Sequence, residues 1–179
     1  MKRNLTTEPI SSLIKMIAIP ASIGFFFNTM FNVVDTYFGG QISTEALAAL
    51  SLSFPVFFII IAIGTGISTG TTALIAHELG AGKKKMAKHL AVQSITFGII
   101  LSFIMVALGI SLSPLLFKLL GASGEYLSMS LAYMNVIFYG TLFFMLVYIF
   151  NAILNAEGDT KSFRNFLIAG FFMNILLDP

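Results

Sequence analysis

The sequence predicts an all-α membrane protein with four complete transmembrane helices and the start of a fifth. Three observations carry that prediction. Of 179 residues, 57% are hydrophobic and only 10% charged, against roughly 45–50% and about 25% in soluble domains, and a domain this small cannot hide the excess from water. The apolar residues fall in runs that reach or exceed the about 20 needed to cross roughly 30 Å of hydrocarbon. The basic residues gather in alternate connecting segments, as they do in cytoplasmic loops.

The first span runs from about Ser12 to Phe38. Met1-Lys2-Arg3 ahead of an apolar run resembles a signal peptide, but the run of about 27 residues exceeds the ~7–15 of a signal's apolar region and no A-x-A cleavage site is present. The second span, about Ala48 to Ala76, contains the small-residue run Gly64 to Thr72. No Lys-Ser/Thr follows its last glycine and no strand precedes it, so it is not a phosphate loop. Its Gly66 and Gly70, spaced G-x-x-x-G, predict close approach of another helix, and Pro20 and Pro55 are tolerated inside spans because neighbours can satisfy the freed backbone groups. The third span covers about Leu90 to Phe117 and the fourth about Tyr126 to Asn155; the fifth begins near Phe166 and stops at Pro179. The breaks, Gly39 to Leu47, His77 to His89, Lys118 to Glu125 and Ala156 to Asn165, hold the Gly, Ser, Asp and Lys of turns.

Orientation follows from Lys and Arg. Lys2, Arg3 and Lys15 precede span one, Lys83, Lys84, Lys85 and Lys88 lie between spans two and three, and Lys161 and Arg164 lie between spans four and five. Only Lys118 falls on the opposite side, which predicts a cytoplasmic N-terminus in a cell membrane. A net charge of +2 is too weak to argue for nucleic acid, and the lysine cluster reads as a topology anchor against anionic lipid. The absence of cysteine excludes a disulfide framework, a thiol nucleophile and cysteine-ligated metal. His77-Glu78 lacks the second histidine of a zinc-protease helix, since position 81 is Ala81. No nucleophile–base pair or cofactor motif is visible, so no enzyme and no cofactor are expected.

The chemistry is expected in the acids inside the spans. Glu8, Glu45, Glu78, Glu125, Glu157 and Asp159 sit near span ends or in loops, whereas Asp35 and Asp178 lie within apolar spans, where a carboxylate costs roughly 2.5–3.5 kcal/mol and marks an ion or proton pathway by default. On span one, Gly24, Asn28, Asn32 and Asp35 share a helical face, the other faces being Phe, Ile, Met and Val; on span five, Gly170, Asn174 and Asp178 recur every four residues. On span four, Tyr133, Gly140, Tyr148, Asn151 and Asn155 fall within about 80° of one another. Three polar stripes predict a shared interior cavity, with interhelical hydrogen bonding as the alternative for any single Asn or Tyr. Helical rise makes Asp35 and Asp178 the closest pair of acids.

The stretch Asn28 to Tyr37, the following Ala46-Leu47-Ala48-Ala49-Leu50, the run Gly64 to Thr72 leading into Ala81-Gly82, Asn151 to Asp159, and Asn174-Ile175-Leu176-Leu177-Asp178-Pro179 resemble, in order, the multidrug and toxic compound extrusion (MATE) transporters. Asp35 on the first helix is similar to the branch of the DNA-damage-inducible membrane proteins. The resemblance implies that residues 1–179 are a partial N-terminal lobe, most of one six-helix lobe, with spans at about 12–38, 48–76, 90–117, 126–155 and an incomplete 166–179. It implies exchange of H⁺ or Na⁺ for amphiphilic, often cationic drugs. By the same resemblance Asp35, Asn174 and Asp178 form a cation-coupling site, also the place for a sodium ion, with Asn151 in the same hydrogen-bond network. Tyr133, Asn28, Asn32 and Tyr148 would line the cavity. The sixth helix and second lobe that such a transporter needs would be its missing partners. The alternatives are a relative of the lipid-linked-sugar flippases, for which a cationic cavity would speak, and a truncated, nontransporting membrane fragment or subunit.

Overall fold

In the computed structural model, which describes residues 9–178, five helices follow one another: α1 (Ile10–Ile42), α2 (Thr44–Gly80), α3 (Lys84–Leu119), α4 (Gly124–Ala156) and α5 (Thr160–Leu177). Lys2, Arg3, Glu8 and Pro179 lie outside the described residues. Helices α1 to α4 are long and apolar enough to cross a membrane. The all-α architecture is therefore as expected, and each helix overruns its apolar span by up to six residues at an end. A span ends where polar residues begin, but a helix ends only where its terminal groups find other partners.

The break expected from Gly39 to Leu47 is the largest correction of this kind. Gly39, Gly40 and Gln41 remain helical, and Ser43 alone joins α1 to α2. Its extended backbone turns the chain and its Oγ accepts from the Ala46 amide at 3.0 Å, capping α2. The other inter-span ends share one device. After α2, α3 and α4 a glycine takes a left-handed φ of 74° (Gly82), 93° (Gly121) or 79° (Gly158), and the next amide returns to the carbonyl five residues back. This is the Schellman closure, which favours glycine because it has no Cβ to clash there. Asp159 then starts α5, its carboxylate accepting from the Ser162 amide at 3.0 Å and the Ser162 hydroxyl at 2.6 Å.

Helix α4 packs against both α2 and α3, and α5 packs chiefly on α1. The α2–α3–α4 trio is held by Val56, Ile60, Met105, Phe117, Met134 and Met145, and by α4 side chains seated on glycines: Tyr148 on Gly64, Ile149 on Gly98, Phe138 on Gly109. Between apolar helices such backbone proximity replaces the hydrophobic drive available in water. Hydroxyls cross the seams, Thr71 to Ser94 Oγ and Thr72 to the Ala152 carbonyl, each at 3.2 Å. Buried Ser53, Ser130 and Thr141 instead donate to carbonyls of their own helices. The predicted close contact at Gly66 and Gly70 is not formed: a Cβ at either would meet nothing within 4 Å. The packing face of α2 runs through Gly64, Ser68, Thr71 and Ile75, on nearly the opposite side of the helix from the motif.

Candidate cation site

Helices α1 and α5 run side by side in the same direction. The Thr160 hydroxyl donates to the Met16 carbonyl at 3.4 Å, a Cβ on Gly24 would touch Leu167, the rings of Phe27 and Phe171 meet edge to face at 5.3 Å, and Asn174 reaches Asp35. The sequence separation of the two hydrogen-bonded pairs is 144 and 139, the near-constant offset of parallel neighbours. The Met16 carbonyl is available because Pro20, inside α1, has no N–H to give it. Thr160, itself buried, repairs that gap from the neighbouring helix.

At the other end of the pair, Asn174 is buried while Asp35 and Asp178 are half-buried. The Asn174 Nδ2 group donates to Asp35 Oδ1 at 2.7 Å and to Asp178 Oδ2 at 2.8 Å. One amide thus spends both hydrogens on two carboxylates, which fixes its orientation because neither carboxylate can donate when ionised. Its Oδ1 is buried with no hydrogen-bond partner among the described residues. No lysine, arginine or histidine pairs with either aspartate among the described residues. Two acids, one amide carbonyl and no base make a site short of positive charge. Hard oxygen ligands of this kind suit a proton or an ion such as Na⁺, while no cluster of three or more His, Asp or Glu that could hold a metal is found among the described residues.

The α4 stripe divides. Tyr133 is 40% exposed, and α1 and α4 do not pack on each other among the described residues. Asn151 does not join the acid–amide network as expected. Its Oδ1 accepts from Asn155 Nδ2 at 3.1 Å, and both line a pocket of about 50 Å³ with Pro20, Gly24, Thr160 and Arg164. The reason is topological: α4 runs opposite to α5 and enters the turn into it just after Asn155, so its late residues lie beside the start of α5, far along that helix from Asn174. Tyr148 packs its ring on Gly64 at the α2–α4 seam.

Asn28 and Asn32 are exposed, and Asn32 Nδ2 donates to the Asn28 carbonyl at 2.8 Å. Asn32 lines an open hollow of about 610 Å³ with Thr29, Val33, Thr36, Tyr37 and Leu47. Phenylalanines were expected to keep to other faces of α1, yet Phe27 and Phe31 are half-buried on the face that carries Gly24 and Asp35. Their spacing of four and eight residues before Asp35 is the signal that places them there.

The MatE family model matches residues 20–179. Over 178 residues, 99% of the chain, the sequence is 32% identical to the FAD transporter of Shewanella oneidensis, covering 39% of that protein. It is 33% identical over 169 residues, 93% of the chain, to the probable multidrug resistance protein NorM of Thermotoga maritima, covering 36% of it. The fold superposes on a solved MOP superfamily transporter from Pyrococcus furiosus with a TM-score of 0.88 at 33% identity, over 93% of this chain and 37% of that one. The chain thus spans somewhat under two fifths of the length of these relatives.

Proposed function

The chain belongs to the MatE family, and from that premise we propose that it forms the N-terminal lobe portion of a cation-coupled efflux antiporter for amphiphilic, often cationic compounds. The observation that carries the reading is the pair of aspartates bridged by one amide with no basic partner among the described residues. A proton or Na⁺ arriving there competes with the Asn174 N–H groups for the same oxygens. For Na⁺, Asn174 answers by turning its unpartnered carbonyl toward the ion. The exchange alters the attraction between α1 and α5, and a cation that binds one packing of the two helices better than another shifts the population toward it.

The hollow along α1 is of a size used for drug-like molecules, roughly 300–1,000 Å³, and Asn32 and Thr36 offer polar contacts on the same helix as Asp35. The absence, among the described residues, of a basic residue paired with the acids favours a cationic cargo here. Multi-pass insertion in a bacterial cell membrane with the N-terminus inside agrees with the shared end occupied by Lys83 to Lys88, Lys161 and Arg164.

The test is dye efflux from vesicles by a chimera of this chain with the remaining helices of a relative, driven by a pH or sodium gradient. Asp35→Asn and Asp178→Asn should each abolish gradient-driven efflux at normal abundance, since neutralising a buried acid eases insertion. If both variants keep parental efflux from pH 6 to 8 under either gradient, the aspartates serve packing and the reading is wrong.

A further inference from the structure

We propose that Phe27, Phe31, Leu167 and Phe171 form an apolar seal that separates the acid–amide site from the polar pocket around Asn151 and Asn155, and that the Phe27–Phe171 pair must part before a cation leaves toward the cytoplasm. This rests on reading Asp35, Asn174 and Asp178 as the cation site.

The two parallel helices are layered alike. On α1 the face toward α5 reads Gly24, Phe27, Phe31, Asp35, and on α5 the facing residues read Arg164, Leu167, Phe171, Asn174. Both series step by three or four residues, which keeps them on one helical face. Small or polar residues begin each series, two apolar residues follow, and the acid or its amide ends it. With a rise of about 1.5 Å per residue, Gly24 lies roughly 16 Å from Asp35 and Arg164 roughly 15 Å from Asn174 along the helices. The edge-to-face contact of Phe27 with Phe171, at 5.3 Å and 64°, occupies the interval.

Below that contact the pocket of about 50 Å³, walled by α1, α4 and α5, is lined by Asn151, Asn155 and Thr160, polar groups of the kind that hold ordered water. Above it lie two acids. A bare cation between the two layers would lose its oxygen ligands to a wall of rings and aliphatic carbons, which is prohibitive without a partner. Arg164 at the pocket sets a fixed positive charge on the inner side, so the pocket is a passage rather than a second resting place for the ion. While the rings touch, the apolar layer therefore stands between the site and the inner pocket.

The chain has no native cysteine, so single-cysteine probes read the seal directly. Asn155→Cys and Asn174→Cys are placed in otherwise unaltered chains and exposed to an impermeant thiol reagent in right-side-out and in everted vesicles. Asn155→Cys should react only in everted vesicles and Asn174→Cys only in right-side-out ones. Adding Phe27→Ala and Phe171→Ala should raise the everted-side rate at Asn174→Cys about tenfold, the factor to which an edge-to-face pair's attraction converts. The paired change Phe27→Leu and Phe171→Leu, which keeps the layer apolar, should leave the rate within about threefold of the parent. Should the double alanine variant fail to insert, Phe171→Ala alone carries the same expectation with a smaller rise. Two results overturn the seal: everted-side labelling of Asn174→Cys with both rings in place, or continued protection in the alanine variants while Asn155→Cys still reacts. Because Asn174→Cys itself removes the proposed cation site, the labelling does not depend on ion binding, which the efflux assay tests separately.

Discussion

Replacing Gly64 and Gly66 by alanine, one at a time, separates the packing face of α2 from the opposite face. A Cβ on Gly64 would come to 2.5 Å from Tyr148 Cδ2, 2.7 Å from Cε2 and 3.1 Å from Cγ, whereas one on Gly66 would meet nothing within 4 Å. Ordinary contact begins near 3.4 Å, so Gly64→Ala must drive a stiff ring, or the helix behind it, back by about an ångström. Overpacking of that kind costs typically 1–3 kcal/mol. Both substitutions gain the roughly 0.8–1 kcal/mol by which alanine exceeds glycine in a helix, so the gain cancels in the comparison and the whole 1–3 kcal/mol remains as the difference. For a chain of this length each kcal/mol moves the midpoint by roughly 2–4 °C. Thermal unfolding of the 179-residue chain in detergent should therefore place Gly66→Ala at or above the parent and Gly64→Ala about 2–12 °C below Gly66→Ala. Equal midpoints, or a lower one for Gly66→Ala, would refute the assignment and restore the G-x-x-x-G pair as the contact face.

Asn174→Ala should weaken gradient-driven efflux in the chimera without abolishing it, since an amide tunes the carboxylates but carries no exchanged charge; full loss would make it an obligatory ligand. Thr160→Val, which keeps shape but leaves the Met16 carbonyl unmet, should lower detergent stability by about 0.6–1.7 kcal/mol while Thr160→Ser does not. The Ser162 hydroxyl and amide beside Asp159 hold its carboxyl below the usual carboxylate range. A depressed folded value stabilises above the unfolded one and is lost as pH falls through it. Protection of the Ser162 amide, relative to its intrinsic exchange rate at each pH, should therefore fall from about pH 4 downward, and Asp159→Asn should remove that fall. Cysteines at Lys84 and Arg164 should react only in everted vesicles and those at Glu45 and Glu125 only in intact cells; the reverse pattern would overturn the orientation.

Much of this was legible in the residues because a bilayer leaves few choices. Runs of apolar residues had to be helices, and Asp35 and Asp178 stood out because nothing around them in sequence could solvate a charge. Periodicity set a polar stripe on each of two separate spans, and that Asp35 and Asn174 belong to one site was what the family resemblance implied. What stayed hidden depended on direction and register between helices. Asn151 has the right residue type and the right face, but the antiparallel course of α4 sets it at the inner pocket. The Gly66–Gly70 spacing matches a contact motif, yet the ring of Tyr148 selects Gly64 two residues earlier. Ser43 alone turns α1 into α2, since glycines that look like a loop in sequence remain helical where the chain can pack them, as Gly39 does against Leu50.

The offset of 139 residues between Asp35 and Asn174 also fixes an order of events during synthesis. At about 5–20 residues per second, Asp35 is made roughly 7–28 seconds before the amide that will bridge its carboxylate. Throughout that interval Asp35 carries the cost of a charge in hydrocarbon, roughly 2.5–3.5 kcal/mol, with its partners unborn. The first helix must therefore linger beside the polar lumen of the insertion channel, or ride high toward the headgroups, and settle at depth only when α5 arrives beside it.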